Sequence, residues 1–140
     1  MPFRFLPDVA LADIAFEAES ASTDGLFETC GEAITDIMVD PKTLRSTAER
    51  KLTLSSESLD RLLYDFMTEL IVMKDVDSLL FASYKVRVSP DGKSLDAVLK
   101  GEQIDRGRHR LRNDVKAVTM HLFGIRQEGS SWKTTVVLDI

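Results

Sequence analysis

Cysteine occurs once, at Cys30, and histidine twice, at His109 and His121. One thiol excludes an internal disulfide framework and any cysteine-based zinc site, and two imidazoles supply only half of a tetrahedral one. The chain lacks a phosphate-cradling Gly-x-x-x-x-Gly-Lys, a Gly-x-Gly-x-x-Gly turn, a Gly-x-Ser-x-Gly elbow and a His-Glu-x-x-His helix, so the standard catalytic signatures are missing. No apolar run approaches the ~20 residues of a membrane span, and Met1-Pro2-Phe3-Arg4 opens no signal-like stretch. The expected location is the cytoplasm. A net charge of -5 argues against a protein that neutralises nucleic-acid phosphates over its whole face, so any such contact is local or indirect.

What is present suits one soluble unit. With 140 residues, 44% hydrophobic and 29% charged, the chain is long enough for one core and too apolar for intrinsic disorder. No repeat, low-complexity tract or linker divides it, so residues 1–140 are expected to form a single domain.

Phe3 and Phe5, then Ile14, Phe16 and Ala18, alternate with polar neighbours and predict a strand broken near Pro7, with Asp13 on the face opposite Ile14. Leu26, Phe27, Cys30, Ala33, Ile34 and Ile37 fall on one helical stripe, with Thr23 as the expected N-cap, Asp24 in the first turn and Pro41 beyond the end. Cys30 on that stripe reads as a packing residue. Ala48, Leu52 and Leu54, studded with Glu49, Arg50 and Lys51, predict an edge strand. Ser55-Ser56 is the expected cap of a second helix carrying Leu59, Leu62, Leu63, Phe66 and Leu70 and running to about Lys74. Leu80 to Val88 and Leu95 to Leu99 alternate around Pro90-Asp91-Gly92, which is hairpin chemistry.

Glu102 to Asn113 has no period and reads as a long connection. Its run Asp105-Arg106-Gly107-Arg108-His109-Arg110-Leu111-Arg112 is the one dense cationic stretch. Without interleaved aromatics it reads first as a solvated loop, with a dock for phosphates or an acidic partner as the alternative. Val115 to Ile125 is apolar on both faces beyond Lys116, which predicts a central strand with His121 as a hydrogen-bonded core histidine. Gln127-Glu128-Gly129-Ser130 turns it back into Trp132 to Ile140. The expected class is α+β: a mixed, mainly antiparallel sheet with two helices on one face.

The last hairpin carries the functional expectation. A turn near Glu128 and Gly129 pairs residues whose numbers sum to roughly 257, which sets Lys116 beside Asp139 and Ile140, with Asp114 just beyond. The Asp139 side chain and the α-carboxylate at Ile140 then lie one residue apart. Like charges about 4 Å apart repel by roughly 4 kcal/mol at an effective dielectric of ~20, so the pair invites a cation. Asp13 is the other carboxylate that opens an apolar strand. An all-oxygen set of Asp13, Asp139 and the Ile140 carboxylate favours Ca²⁺, Mg²⁺ or Mn²⁺ over Zn²⁺.

Several segments together resemble the archease family along the whole chain. Ala12-Asp13-Ile14-Ala15-Phe16-Glu17-Ala18 is similar to the family's Ala-Asp-Ile-Gly segment, and Leu62-Leu63-Tyr64-Asp65-Phe66-Met67-Thr68-Glu69-Leu70 to its Leu-Leu-x-x-Trp-Leu-x-Glu-Leu helix. Gly101-Glu102 with His109 resembles its Gly-Glu…Arg-His connection, Val115-Lys116-Ala117-Val118-Thr119-Met120-His121 its Val-Lys-Ala-x-Thr-x-His strand, and Val136-Val137-Leu138-Asp139-Ile140 its closing run. The resemblance implies a strand-helix-strand-strand unit with a similar unit inserted. It also implies a non-enzymatic accessory protein that promotes guanylylation and turnover of an RtcB-type RNA ligase in tRNA splicing and RNA repair. By the same resemblance Asp13, Asp139 and Ile140 would hold a divalent cation, Ca²⁺ first, with Lys116 and Asp114 as functional neighbours. The family's His-Thr before Ala-Asp is Ala10-Leu11 here, so histidine support for Asp13 is missing, and its glycine after Asp-Ile is Ala15. A general chaperone or binding module with a structural cation site is the alternative. A metal-dependent phosphate-processing enzyme ranks last, for want of an evident base or nucleophile.

Overall fold

The computed structural model describes residues 2–6, 13–121 and 123–140. Its elements are β1 (Phe3–Phe5), β2 (Ile14–Ser20), α1 (Thr23–Met38), a 3-10 turn (Pro41–Thr43), β3 (Ala48–Ser55), α2 (Leu59–Asp77), β4 (Leu79–Val88), β5 (Ser94–Gln103), β6 (Ala117–Val118), β7 (Gly124–Glu128) and β8 (Ser131–Asp139). The α+β class holds, with two sheets in place of the expected one. The first runs β1-β2-β8-β6, with β7 also on β8, and the second runs β3-β5-β4. Every pairing is antiparallel.

The two sheets repeat one plan. β2, α1, β7 and β8 enclose β3, α2, β4 and β5 in sequence, and in each set the last strand lies between the first and the second. The helices serve the two sheets crosswise. From α1, Asp24 accepts the Val88 amide at 2.7 Å and Glu28 the Val86 amide at 2.9 Å on the edge of β4. From α2, Asp60 accepts the Ile125 amide at 3.0 Å on the edge of β7. Carboxylates thereby satisfy amides that an edge strand would leave unpaired. The edge strand β3 keeps Glu49, Arg50 and Lys51 exposed, as expected of an edge.

Local chemistry moves both helix starts from their expected places. Ser22, not Thr23, caps α1: its backbone is extended and its Oγ accepts the Gly25 amide at 3.0 Å, while Thr23 is already helical. Ser58, not Ser55-Ser56, caps α2, accepting the Arg61 amide at 3.2 Å. Ser55 is held in β3, and the Ser56 hydroxyl donates to Asp65 instead. The helix passes Lys74 and stops at Asp77, because Ser78 turns left-handed (φ 54°) and returns its amide to the Lys74 carbonyl at 3.0 Å. Ser58→Ala should cost about 1 kcal/mol, a drop in Tm of roughly 3 °C in a thermal melt.

The segment from Val115 to Ile125 is not one central strand. Ala117 pairs with Asp139 and Val118 with Leu138, whereas Gly124 pairs with Thr135. From Val118 to Gly124 the chain advances six residues while β8 recedes only three, so the surplus loops out and leaves Met120 and His121 exposed. The core-histidine expectation for His121 fails for this reason: alternation assigns a face only while pairing is continuous. The central strand is β8, flanked by β2 and by β6 with β7, and its Thr134, Val136, Val137 and Leu138 are buried.

The core draws on both sheets and both helices. Phe66 of α2 lies 5.8 Å from the Phe27 ring and 6.5 Å from the Tyr84 ring, centroid to centroid. Cys30 is fully buried in the α1 stripe, and burial pushes its thiol pKa up, so it packs and does not react. Trp132 packs partly buried against the rim.

Candidate functional site

Strand register builds the acidic end of the first sheet. Ile14 pairs with Leu138, and continuing that antiparallel register by one residue sets Asp13 opposite Asp139. On the far side of β8, Asp139 pairs with Ala117, so the residue just before β2, the end of β8 and the start of β6 meet at one end of the sheet. Directly opposed residues bring their Cβ atoms to about 5 Å. The apolar partners Ile14 and Leu138 point to the core face, which turns both aspartates to the other face. Asp139 is exposed and Asp13 half-buried.

Lys116 and Ile140 follow from the same pairing. The Lys116 amide donates to the Asp139 carbonyl at 2.8 Å, fixing the lysine at this end of the sheet, exposed, and opposite Ile140 in register. Ile140 packs part of its side chain on the core, which anchors the end of β8. Asp114 does not join this end. It binds the ammonium of buried Lys74, which also takes Asp75 at 2.7 Å and the Val115 carbonyl at 2.7 Å. Burial acts to lower the Lys74 pKa, but the hydrogen bonds it donates to Asp114 and Asp75 outweigh it and hold the group above its ordinary value.

Among the described residues no group of three or more His, Cys, Asp and Glu side chains is gathered as a metal site. The sheet end offers two carboxylate side chains and the α-carboxylate. Such donors fit a hard cation that takes six to eight oxygen ligands in all, the remainder coming from water or a partner. A groove of about 500 Å³ opens beside Asp13, lined by Phe5, Ile14, Ile37, Asp36 and Arg112.

The basic connection is the expected loop, exposed at Asp105, Arg106, Gly107, Arg110 and Arg112, but Arg108, His109 and Arg112 tie it to the rest of the chain. Residues 105–109 form a tight turn: Asp105 accepts the Gly107 amide on its side chain and the Arg108 and His109 amides on its carbonyl. Arg108 binds Glu102 and donates to the Thr43 carbonyl at 3.1 Å, and Arg112 donates to the Asp36 carbonyl at 2.7 Å. His109 is buried. The Asp105 amide donates to its Nδ1 at 2.8 Å, so the ring proton sits on Nε2 and is donated to Glu102 at 2.7 Å. This Glu102–Arg108–His109 network was not legible from period or charge. Its only sequence signal was the Gly101-Glu102 and His109 pattern.

Hydrogen bonds from Arg108 and His109 hold the Glu102 carboxyl well below the usual carboxylate range. Its folded-state pKa is depressed, so its contribution to stability is complete above the unfolded value of about 4.3 and is lost as acid carries the pH down through the folded value. Unfolding free energy measured between pH 6 and 3 should therefore decline more steeply for wild type than for Glu102→Gln.

The model of the Archease protein family matches residues 3–140 of this chain. Protein archease of Methanothermobacter thermautotrophicus is 34% identical over 131 residues, covering 92% of this chain and 93% of its own. Protein archease of Pyrococcus abyssi is 30% identical over 132 residues, covering 92% and 93%. The solution structure of Methanobacterium thermoautotrophicum protein 1598 superposes with a TM-score of 0.82 at 31% identity over 99% of both chains. A crystal structure from Thermotoga maritima, described as an archease and possible chaperone, shares the fold at a TM-score of 0.68 and 20% identity over 96% of both. With its nested strand-helix-strand-strand units and its match from Phe3 to Ile140, the chain belongs to the archease family.

Proposed function

We propose that this chain is a non-enzymatic accessory protein that promotes guanylylation and turnover of an RtcB-type RNA ligase, with the acidic end of the first sheet as its working part. One observation carries the reading: β2, β8 and β6 bring Asp13, Asp139 and Lys116, from three separate stretches of sequence, to one sheet end. Asp13, Asp139 and the α-carboxylate at Ile140 would hold a divalent cation, Ca²⁺ ahead of Mg²⁺ or Mn²⁺. Bound there, the cation supplies positive charge for phosphate or carboxylate oxygens at the ligase site. Lys116 balances the charge of the cluster and offers an ammonium to the same oxygens. Asp114, tied to Lys74, acts on the site only by fixing the chain that leads into Lys116.

No helix of the described residues is long and apolar enough to cross a membrane, in keeping with a cytoplasmic role. The test mixes the ligase with GTP and a limiting amount of this protein and follows covalent guanylate on the ligase. Multiple guanylylated ligases per molecule of added protein are expected. Absence of stimulation, with rescue of unrelated aggregating proteins, would replace the reading by that of a general chaperone.

A further inference from the structure

The buried stripe of α2 runs through Leu63, Met67, Leu70 and Ile71, three and four residues apart, and closes on a charge, Lys74. An apolar side chain would fill that position without the cost of desolvating an ion. What the ammonium adds is direction. Its three donors go to Asp75 on its own helix, to Asp114 and to the Val115 carbonyl. Two of the three therefore cross from α2 to the stretch that delivers Lys116.

That stretch has few other ties. From Ile104 to Lys116 the chain forms neither helix nor strand, apart from a single bridge between Leu111 and Val39. The Met38 and Ile37 carbonyls of α1 take the Arg112 and Asn113 amides at 2.7 and 3.0 Å, and the Lys116 amide then reaches the Asp139 carbonyl at 2.8 Å. Between these anchors lie Asp114 and Val115, and Lys74 holds both. The Asp114 side chain is 70% exposed, so the ammonium and not packing restrains it.

We propose that Lys74 is a positioning residue for Lys116: by tying Asp114 and the Val115 carbonyl to α2, it fixes where the Lys116 ammonium stands at the acidic sheet end. This role rests on the reading of Lys116 as a group that works on the ligase. Through Lys74, a helix of the inserted β3-α2-β4-β5 unit takes part in a site whose other groups all come from the outer unit.

The test compares wild type, Lys74→Met and Asp114→Asn as full chains, each first shown by thermal melting to be folded. Methionine keeps the apolar stem of lysine without its donors, and the released Asp114 regains water. Amide hydrogen exchange is read by NMR at Lys116 and, for reference, at Val86 and Val88 on β4, so that a uniform change in stability cancels in the ratio. In Lys74→Met the ratio of Lys116 exchange to the reference should rise about tenfold, as loss of a hydrogen bond to a charged group implies. In Asp114→Asn it should rise less, because the Val115 carbonyl stays bound. Stimulation of ligase guanylylation should fall in the same order. The Ca²⁺-induced rise in Tm should persist in both variants, because the β2–β8 pairing sets Asp13 and Asp139. An unchanged exchange ratio in Lys74→Met, even with a lower Tm, would overturn the proposal and leave Lys74 a packing residue. Full stimulation by a variant whose Lys116 has loosened would overturn it as well. Absence of stimulation by wild type would strike the ligase reading instead, and the exchange ratio would still decide whether Lys74 holds Lys116.

Discussion

Gly101→Ala is expected to unfold this protein at moderate temperature, although the substitution adds a single methyl group. A Cβ built on Gly101 would meet the Leu80 carbonyl oxygen at 1.9 Å and the Phe81 Cα at 2.6 Å. Both are main-chain atoms of the paired strand β4, so no side chain can rotate aside. The collision falls beside the register shift between Phe81 and Ser83, and relieving it would spread β4 from β5. Phe81 and Leu80 are buried, so spreading also opens the core. It would further displace Glu102, the next residue, from Arg108 and His109. Overpacking a flexible side chain costs about 1–3 kcal/mol, and a rigid backbone clash should exceed 3 kcal/mol, a large share of the stability of a domain of this size. Chemical denaturation should show a much reduced midpoint or no folded baseline.

The second large effect is a reversal of sign at the acidic sheet end. Asp13 precedes Ile14 and Asp139 follows its partner Leu138, so the two like charges lie close at the sheet end, an arrangement that destabilises. Without divalent cations, Asp139→Asn should therefore melt at or slightly above the wild-type temperature, because Asp139 is exposed and its side chain supports no core packing. Added Ca²⁺ should reverse the order. A cation at a hundred times its dissociation constant stabilises the folded state by about 2.7 kcal/mol, which is on the order of 8 °C in Tm at this chain length. The variant should gain little. Equal Ca²⁺-induced shifts in wild type, Asp13→Asn and Asp139→Asn would remove these carboxylates as the cation site.

The legible parts of this chain were those where one local rule acted alone. The α1 stripe, the hairpin around Pro90-Asp91-Gly92 and the edge character of Ala48 to Ser55 follow from period and turn chemistry, and each is in the structure. Lys116 does lie beside Asp139 and Ile140, but not through the turn alone: Gly129 and Ser130 close the hairpin at a sum of 259, and the three surplus residues before Gly124 shift the pairing to 256 at Ala117 and Asp139. Failures came where neighbouring residues competed or distant ones decided. Ser22 and Thr23 offer equivalent hydroxyls, and only backbone geometry selects the cap. His121 lost its assigned face to three surplus residues that no pattern marks. Asp105 to Arg112 is largely exposed, as its charge suggests, but the distant Thr43 carbonyl and Asp36, and nearby Glu102, take Arg108 and Arg112, contacts that no local pattern marks. Asp114 looked like a neighbour of Lys116, but buried Lys74, forty residues away, takes it.

The guanylylation assay with tip variants bears most directly on the central claim. Ligase, GTP and saturating divalent cation are combined with limiting wild type, Asp13→Asn or Asp139→Asn, each first shown to melt as a folded protein. The account predicts strong stimulation by wild type and none above the ligase alone by either variant. Stimulation by folded Asp139→Asn equal to that of wild type would contradict it.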